Sequence, residues 1–445
     1  MKRIQKRTWC VLLLVLGILI GLVLYIWRLA AHGGEWAAQP YNRSVYRNGI
    51  LQSGTITDRN GVILATADGN GGWTYAEDIS ARRALLHLIG DSSGNIGTGA
   101  LSVYADRVTG YDFVTGTYGG GGTLVLSVDA ELCRAASEAL AGRRGTVAVV
   151  NYETGELLCA VSSGSYDPAN PPKSLEGEAY EGVYMHRLFS AAYTPGSVFK
   201  LVTAAAAIEN LPDLYERVFT CTGSAAYTNG GVSCMKAHGT LAFEDALADS
   251  CNCVFAELAS ELGGEILSEY CARFGLTGRQ TVDRLQTAAG KYTVFPDGTA
   301  DLAWSGAGQA EDLLNPASML RFVAAIANQG SSPALHVLKQ SDILPFGGNV
   351  RLMKTETAEA LARVMHYCVV KTYGADNYPG LELYAKSGTA EVGGGAKPHA
   401  WFVGFIRNEG IPLAFVVVVE NGGSGSAAAG AVANSVLQTA IKNWR

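Results

Sequence analysis

The sequence predicts an α/β domain with an antiparallel sheet and a helical subdomain, preceded by a small N-terminal β-rich domain and one transmembrane helix. Three observations carry this. A stretch of 19 residues without a charge, WCVLLLVLGILIGLVLYIW, runs from Trp9 to Trp27. GTVAVVNYETGELLCAVS, from residue 145, reads as a hairpin turning at Glu153-Thr154-Gly155. A mostly helical block over 195–375 is then followed by three strand-like runs and an amphipathic helix. The sheet is therefore expected to be assembled from both ends of the domain.

The bulk numbers suit this architecture. A chain of 445 residues, 48% hydrophobic and 17% charged, can bury a large core and fits two or three domains. Its net charge of −6, with no basic stripe carrying interleaved aromatics, argues against nucleic acid as a partner. The charge is uneven: Lys2, Arg3, Lys6, Arg7 and Arg28 precede the first acidic residue, Glu35. As a helix the 9–27 stretch would be roughly 28 Å long, enough to cross a bilayer core. The basic residues before it predict a cytoplasmic N-terminus, and Trp9, Tyr25 and Trp27 suit the two interfaces. Leu29-Ala30-Ala31 loosely resembles a cleavage site, but the apolar run exceeds the usual ~7–15 residues of a signal peptide. An uncleaved single-pass anchor is expected, with everything after His32 outside the cytoplasm.

In order along the chain, residues 1–31 form the stub and anchor. Residues 32–122 form a tether, to about 47, and a small pedestal domain. There GTITDRNGVILATADG reads as a hairpin turning at Asp58 to Gly61, and ISARRALLHLIG as a short helix. The GGGG of 119–122 lacks the Gly-Lys-Ser/Thr of a phosphate loop and reads as a hinge. The large domain spans 123–445. ELCRAASEALAG is helical, the 145–162 hairpin follows, and Ala-rich helices are expected at 199–209, 243–262 and 316–328. LYAKSGTAEV, HAWFVGFI and LAFVVVVE are strands, and GAVANSVLQTAIKN closes the chain as a helix.

Three short motifs bear chemistry. In TPGSVFKLVTAAAAIE, Pro195 and Gly196 set a helix start, so Ser197 can be read simply as an N-cap or first-turn residue. The same spacing puts Lys200 on the face of Ser197, since residues three apart on a helix have Cβ atoms ~5–6 Å apart. In ADSCNCVFAELA, Ser250 and Asn252 are also good helix starters. In AKSGTAE, residues 385–391, the polar run could be a mere sheet edge. Each motif alone is weak; their order, with starts 53 and 136 residues apart, is not.

Nine cysteines are present. Cys221 and Cys234 could bridge in an oxidising compartment. A metal reading would combine Cys221, Cys234, His238, Cys251 and Cys253, but their spacing matches no zinc pattern, and Cys251 and Cys253 would point different ways on a helix. No metal and no organic cofactor are expected.

The trio Ser-x-x-Lys, Ser-x-Asn, Lys-Ser-Gly-Thr is a signature of serine β-lactamases and penicillin-binding proteins. Together with TITDRNGVILA, GTVAVVNYETGELLCAVSSGSYDPAN, YTPGSVFK, HGTLAFEDALADSCNCVF, AKSGTAEV, HAWFVGF and ENGG, it makes the chain resemble the class B penicillin-binding proteins from about Arg47 onward. The resemblance implies a penicillin-binding, serine β-lactamase-like fold and a peptidoglycan D,D-transpeptidase. It implies Ser197 as nucleophile, Lys200 as a base kept neutral by desolvation and by the second cation Lys386, and Ser250 as proton relay. Asn252 would hold the peptide amide. Lys386 and Thr389 would grip the terminal carboxylate of a D-Ala-D-Ala stem peptide, with Ser387 and Gly388 on the same strand. The backbone N–H groups of Ser197 and Thr389 would form the oxyanion hole. β-Lactams would trap Ser197, and a membrane glycan polymerase would be the partner, because ~90 residues before the large domain are too few for a second enzyme.

Gly164, where the family usually has proline, and Ala310, in place of the second glycine of a Gly-Gln-Gly loop, depart from the pattern. His238 and His399 have no task in lysine chemistry; Glu391 is expected to be structural and Arg187 to support the floor of the site. The alternatives are a D,D-carboxypeptidase or β-lactamase, with water as acceptor, and a β-lactam sensor or inactive scaffold. No water-activating carboxylate is recognisable for a fast β-lactamase. All three motifs are intact, which disfavours a scaffold, and about eight residues before the membrane run leave no room for a sensor's cytoplasmic output domain.

Overall fold

The computed structural model describes residues 2–38, 46–47, 50–68, 72–112, 114, 117–118, 121–177, 180–339 and 348–444. Helix α1, Lys2–Ala37, has a mean hydropathy of 2.9 over its most apolar window and is the one helix among the described residues long and apolar enough to span a membrane. It runs beyond the predicted span and takes in the first residues of the expected tether. Gly33 is buried there, and Gly34 packs against Asp106.

The hairpin predicted at TITDRNGVILA is present as β1 (Thr55–Thr57) and β2 (Ile63–Ala67). With β3 (Trp73–Tyr75) and β4 (Thr123–Val125) they form a sheet ordered β3-β2-β1-β4, with β4 parallel to β1. The turn is held by buried Asp58, whose carboxylate accepts the N–H groups of Asn60 at 2.8 Å, Val62 at 2.9 Å and Ala130 at 3.2 Å. Helix α2, Ile79–Ile89, is N-capped by Asp78. Gly121 and Gly122 lead into β4, while Gly119 and Gly120 lie outside the described residues. Helix α2 packs on α3 (Ala130–Leu140), so the apolar core runs on from this unit into the larger one without a break.

The larger unit is built on a five-stranded antiparallel sheet. Strands β5 (Gly145–Asn151) and β6 (Leu157–Ser162) are the predicted hairpin. Helix α4, Lys200–Asn210, follows the Ser-x-x-Lys turn. The segment after it was expected to be largely helical but forms two small hairpins. One pairs β7 (Phe219–Cys221) with β10 (Gly239–Leu241); nested inside it, β8 (Ser224–Tyr227) pairs with β9 (Gly230–Ser233). The Ala-rich run 243–262 is also not one helix. It breaks at Ser250, whose φ of 55° is incompatible with a continuing right-handed helix, and restarts as α5, Asn252–Leu262. Helices over Gly264–Arg273 and Ala300–Gly306, then α6 (Pro316–Ala327) and α7 (Thr355–Cys368), complete the helical part.

Strands β11 (Leu383–Ala390), β12 (His399–Ile406) and β13 (Leu413–Val419) then complete the sheet in the order β6-β5-β13-β12-β11. Strands from both ends of the domain are thus interleaved, as the sequence pattern predicts: Val416 of β13 lies opposite both Ala148 and Val403. Every residue of β13 is buried, which is why LAFVVVV shows no alternation. Helix α6 packs on β12 and β13, and the final helix α8 (Gly430–Asn443) packs with α3. Strand β11 is the edge on which the site is built.

Candidate active site

The turn carrying Ser197 is fixed from three directions. Thr194 accepts a hydrogen bond from Trp401 Nε1 at 3.0 Å, Gly196 N–H donates to the Gly308 carbonyl at 2.8 Å, and Tyr193 exchanges backbone bonds with Leu314. Ser197 sits in a single 3₁₀ turn, Gly196–Val198, ahead of α4 rather than at its cap. Two glycines let this turn lie against β11. A Cβ on Gly196, whose φ is 56°, would fall 2.6 Å from the Thr389 carbonyl oxygen, and one on Gly388 would fall 2.7 Å from that of Pro195. Both separations are shorter than carbon and oxygen tolerate.

The structure brings Ser197, Lys200, Ser250, Asn252 and Lys386 into one connected cluster. Lys200 Nζ lies 3.1 Å from Ser197 Oγ, 3.2 Å from Ser250 Oγ, 2.7 Å from the Ser250 carbonyl and 2.7 Å from Asn252 Oδ1. Lys386 Nζ lies 3.1 Å from Ser250 Oγ and 3.0 Å from the Ser387 carbonyl. Ser250 Oγ therefore stands between two lysines, held there by the backbone reversal that interrupts the helix. Asn252 spans from Lys200 to the Ser233 carbonyl, to which its Nδ2 donates at 2.8 Å.

Both lysines are fully buried. Burial, and then repulsion from Lys386, pushes the Lys200 ammonium down to about 7. Burial likewise pushes Lys386 down to about 8. For Lys200 the fall from 10.5 to about 7 corresponds to about 5 kcal/mol against the charged form. Near neutral pH a substantial fraction of Lys200 is thus an amine able to accept a proton from the Ser197 hydroxyl.

Residues 145–441 match the family model described as the penicillin binding protein transpeptidase domain. The chain belongs to this family. Among its curated relatives is the peptidoglycan D,D-transpeptidase PbpA of Mycobacterium tuberculosis, 27% identical over 369 residues, which cover 74% of this chain and 75% of that protein. Among solved structures, penicillin-binding protein A of M. tuberculosis in its penicillin G acyl-enzyme complex superposes with a TM-score of 0.74 at 25% identity, covering 88% of this chain and 99% of the other. The D,D-transpeptidase domain of an Eggerthella lenta peptidoglycan glycosyltransferase gives 0.73 at 26% identity, covering 88% and 98%.

In this penicillin-binding protein the remaining predicted residues fall as follows. Ser387 Oγ accepts from the Tyr373 hydroxyl at 3.0 Å, while Ser387 N–H donates to that same oxygen at 2.8 Å. Ser387 N–H thus points out of the sheet edge, and two residues on, Thr389 N–H leaves the same edge toward the Ser197 turn. Thr389 Oγ1 accepts from Gly425 N–H at 3.2 Å. Arg187 is buried and pairs with Glu420 at 2.7 Å, and its guanidinium also holds the Ser163 and Glu181 carbonyls. His399 accepts from Asn421 N–H at 3.1 Å, and Glu391 is exposed. Cys221 and Cys234 are free thiols 3.8 Å apart, not a disulfide.

Sequence reasoning missed Tyr373, a buried phenol whose only signal is its distance along the chain from Ser387. It passed over Gln309 except as part of a loop; its Nε2 donates to the Thr389 carbonyl at 3.3 Å and ties that loop to β11.

Proposed function

We propose that this transpeptidase cross-links peptidoglycan stem peptides through an acyl-enzyme on Ser197. One observation above all supports this: Lys200, buried and lowered to about 7, lies 3.1 Å from the Ser197 hydroxyl. Neutral Lys200 takes the Ser197 proton as Oγ attacks the carbonyl of the penultimate D-alanine. The tetrahedral oxyanion is received by the N–H groups of Ser197 and Thr389. Ser250, bridging Lys200 and Lys386, passes a proton to the departing D-alanine amine. Lys386 and Thr389 bind the terminal carboxylate, Ser387 and Gly388 line the strand along which the peptide lies, and Asn252 orients the peptide amide. An amino group of a second stem peptide then attacks the ester and frees Ser197. A β-lactam presents the same carbonyl but keeps its leaving group tethered, so it arrests the cycle at the ester.

Residues 1–31 serve as a single-pass anchor with a cytoplasmic N-terminus, 32–122 as a pedestal, and 123–445 as the catalytic domain outside the membrane. A membrane glycan polymerase is the partner that supplies the strands to be joined; α1 and the pedestal are the surfaces available to it.

The test is labelling of the full chain with a fluorescent penicillin, beside Ser197→Ala. Labelling confined to the parent chain is expected, with cross-linking when stem-peptide acceptors are added. Labelling that survives the substitution overturns the nucleophile assignment. Release of D-alanine without cross-linking makes the enzyme a carboxypeptidase.

A further inference from the structure

The two nested hairpins after α4 have almost no core of their own. Of the segment 219–241, only Phe219, Cys221, Val232 and Leu241 are buried hydrophobics. So small a unit needs a staple, which in proteins is a disulfide or a metal. The fold gathers the groups for one. Cys221 ends β7, Cys234 follows β9, His238 precedes β10, and Cys251 stands at the N-cap of α5. Their four ligand atoms all lie within 4.8 Å of one another.

The individual separations decide between the two staples. A disulfide needs sulfurs ~2 Å apart. A tetrahedral zinc with Zn–S near 2.3 Å and Zn–N near 2.0–2.1 Å sets S···S at roughly 3.8 Å and S···N at roughly 3.6 Å. Here Cys221 Sγ lies 3.8 Å from Cys234 Sγ, Cys234 Sγ lies 3.7 Å from Cys251 Sγ, and His238 Nδ1 lies 3.4 Å from Cys221 Sγ. Cys234 also accepts two backbone N–H groups, from Asn252 at 3.2 Å and Cys253 at 3.4 Å. Paired amide donors are the outer partners a metal-bound thiolate takes.

We propose that Cys221, Cys234, His238 and Cys251 form a tetrahedral structural site for zinc. The three thiols release their protons to solvent on binding, and the ion is closed off from substrate by its four protein ligands. Cys253 Sγ, 3.6 Å from Cys234, lies outside the set. The spacings of 13, 4 and 13 residues gave no zinc pattern because the ligands come from two hairpins and a helix start rather than from one knuckle. Cys251 is the central residue of Ser250-Cys251-Asn252, and Asn252 donates its own N–H to Cys234. The ion would therefore hold the turn that sets Ser250 between the two lysines, a consequence that rests on the transpeptidase reading.

The experiment uses the full chain in detergent, reduced with a phosphine before zinc or cobalt is offered, then desalted. One zinc per chain by mass spectrometry is expected, and in the cobalt form a thiolate charge-transfer band with the visible bands of a tetrahedral site. Cys221→Ser and His238→Ala should each lose the stoichiometric ion, whereas Cys10→Ser should keep it. Should those variants fail to fold, the parent chain decides: a strong chelator should remove one zinc and lower the melting temperature, with recovery on readdition. A reduced chain that takes up no metal, an ion retained in both ligand variants, or a chelator without effect on melting overturns the site. Penicillin labelling of Ser197 is read separately, so either assignment can fail without the other. If both stand, the zinc-free chain should acylate more slowly.

Discussion

At the scale of single residues, the site turns on two lysines that share one hydroxyl. Replacing Lys200 with alanine removes the proposed base and should lower acylation by about 10²–10⁴-fold; stopped-flow measurement of β-lactam acylation reads this. The acylation rate should also be bell-shaped in pH. It should rise as Lys200 loses its proton near 7 and fall as Lys386 loses its own near 8, the two apparent values belonging to the coupled pair. A rate flat from pH 6 to 9 would remove Lys200 from the base role. The five polar residues of this cluster were legible in the sequence because each belongs to a short motif and the motifs occur in a set order. Tyr373 was not, since a lone tyrosine on a helix end carries no pattern, and only the return of β11 brings Ser387 to it.

At the scale of elements, the contact between the Ser197 turn and β11 is as tight as backbone allows. Gly388→Ala would drive a methyl against the Pro195 carbonyl, 2.7 Å away. It should cost about 1–3 kcal/mol, as overpacking does, and slow acylation by moving Ser197 from Lys200; a melting curve and an acylation rate together check it. Elements with a strong period, such as the 145–162 hairpin, α6 and the three closing strands, were legible to within a residue or two. The two hairpins of 219–241 were not, because their Gly- and Ser-rich strands bury too little to alternate. The restart at Asn252 was legible, since Ser250 and Asn252 read as helix starters, but the reversal at Ser250 was not, because its positive φ is imposed by the surroundings.

At the scale of the whole molecule, the junction between the N-terminal unit and the larger one titrates in two steps. Arg82 of α2 grips Asp167 through two bonds of 2.7 and 2.8 Å, and this pair holds the Asp167 carboxyl down to about 2 from 3.8. A carboxyl so lowered stabilises the fold above about pH 4, by about 2 kcal/mol, and that stability is lost as pH falls toward 2. Nearby, His87 of α2 donates from Nε2 to the Val183 carbonyl at 2.8 Å and lies edge-on to buried His186. Burial lowers His87 to about 4 from 6.5, so the unfolded chain binds a proton that the folded one refuses. Stability should therefore fall as pH drops from about 6.5 to 4, and fall again below 4. Melting temperatures across this range should show both steps. Burial also holds His186 well below its ordinary value and adds to the first step, so His87→Gln, which keeps a donor for Val183, should shrink that step, and Asp167→Asn should flatten the second.

The interleaving of the sheet has one more consequence, for the order in which the protein becomes reactive. Ser197 and Lys200 are made early, but Lys386 lies on β11 and the strand that must insert between β5 and β12 is made later still. Until then β5 presents an open, largely apolar edge, the kind of edge that pairs with other chains. A polypeptide ending before Leu383 would thus carry Ser197, the proposed nucleophile, without the second lysine that completes its cluster. Reactivity is acquired late and at once, by the closing of the sheet, so a chain that can be acylated is a chain that has been finished.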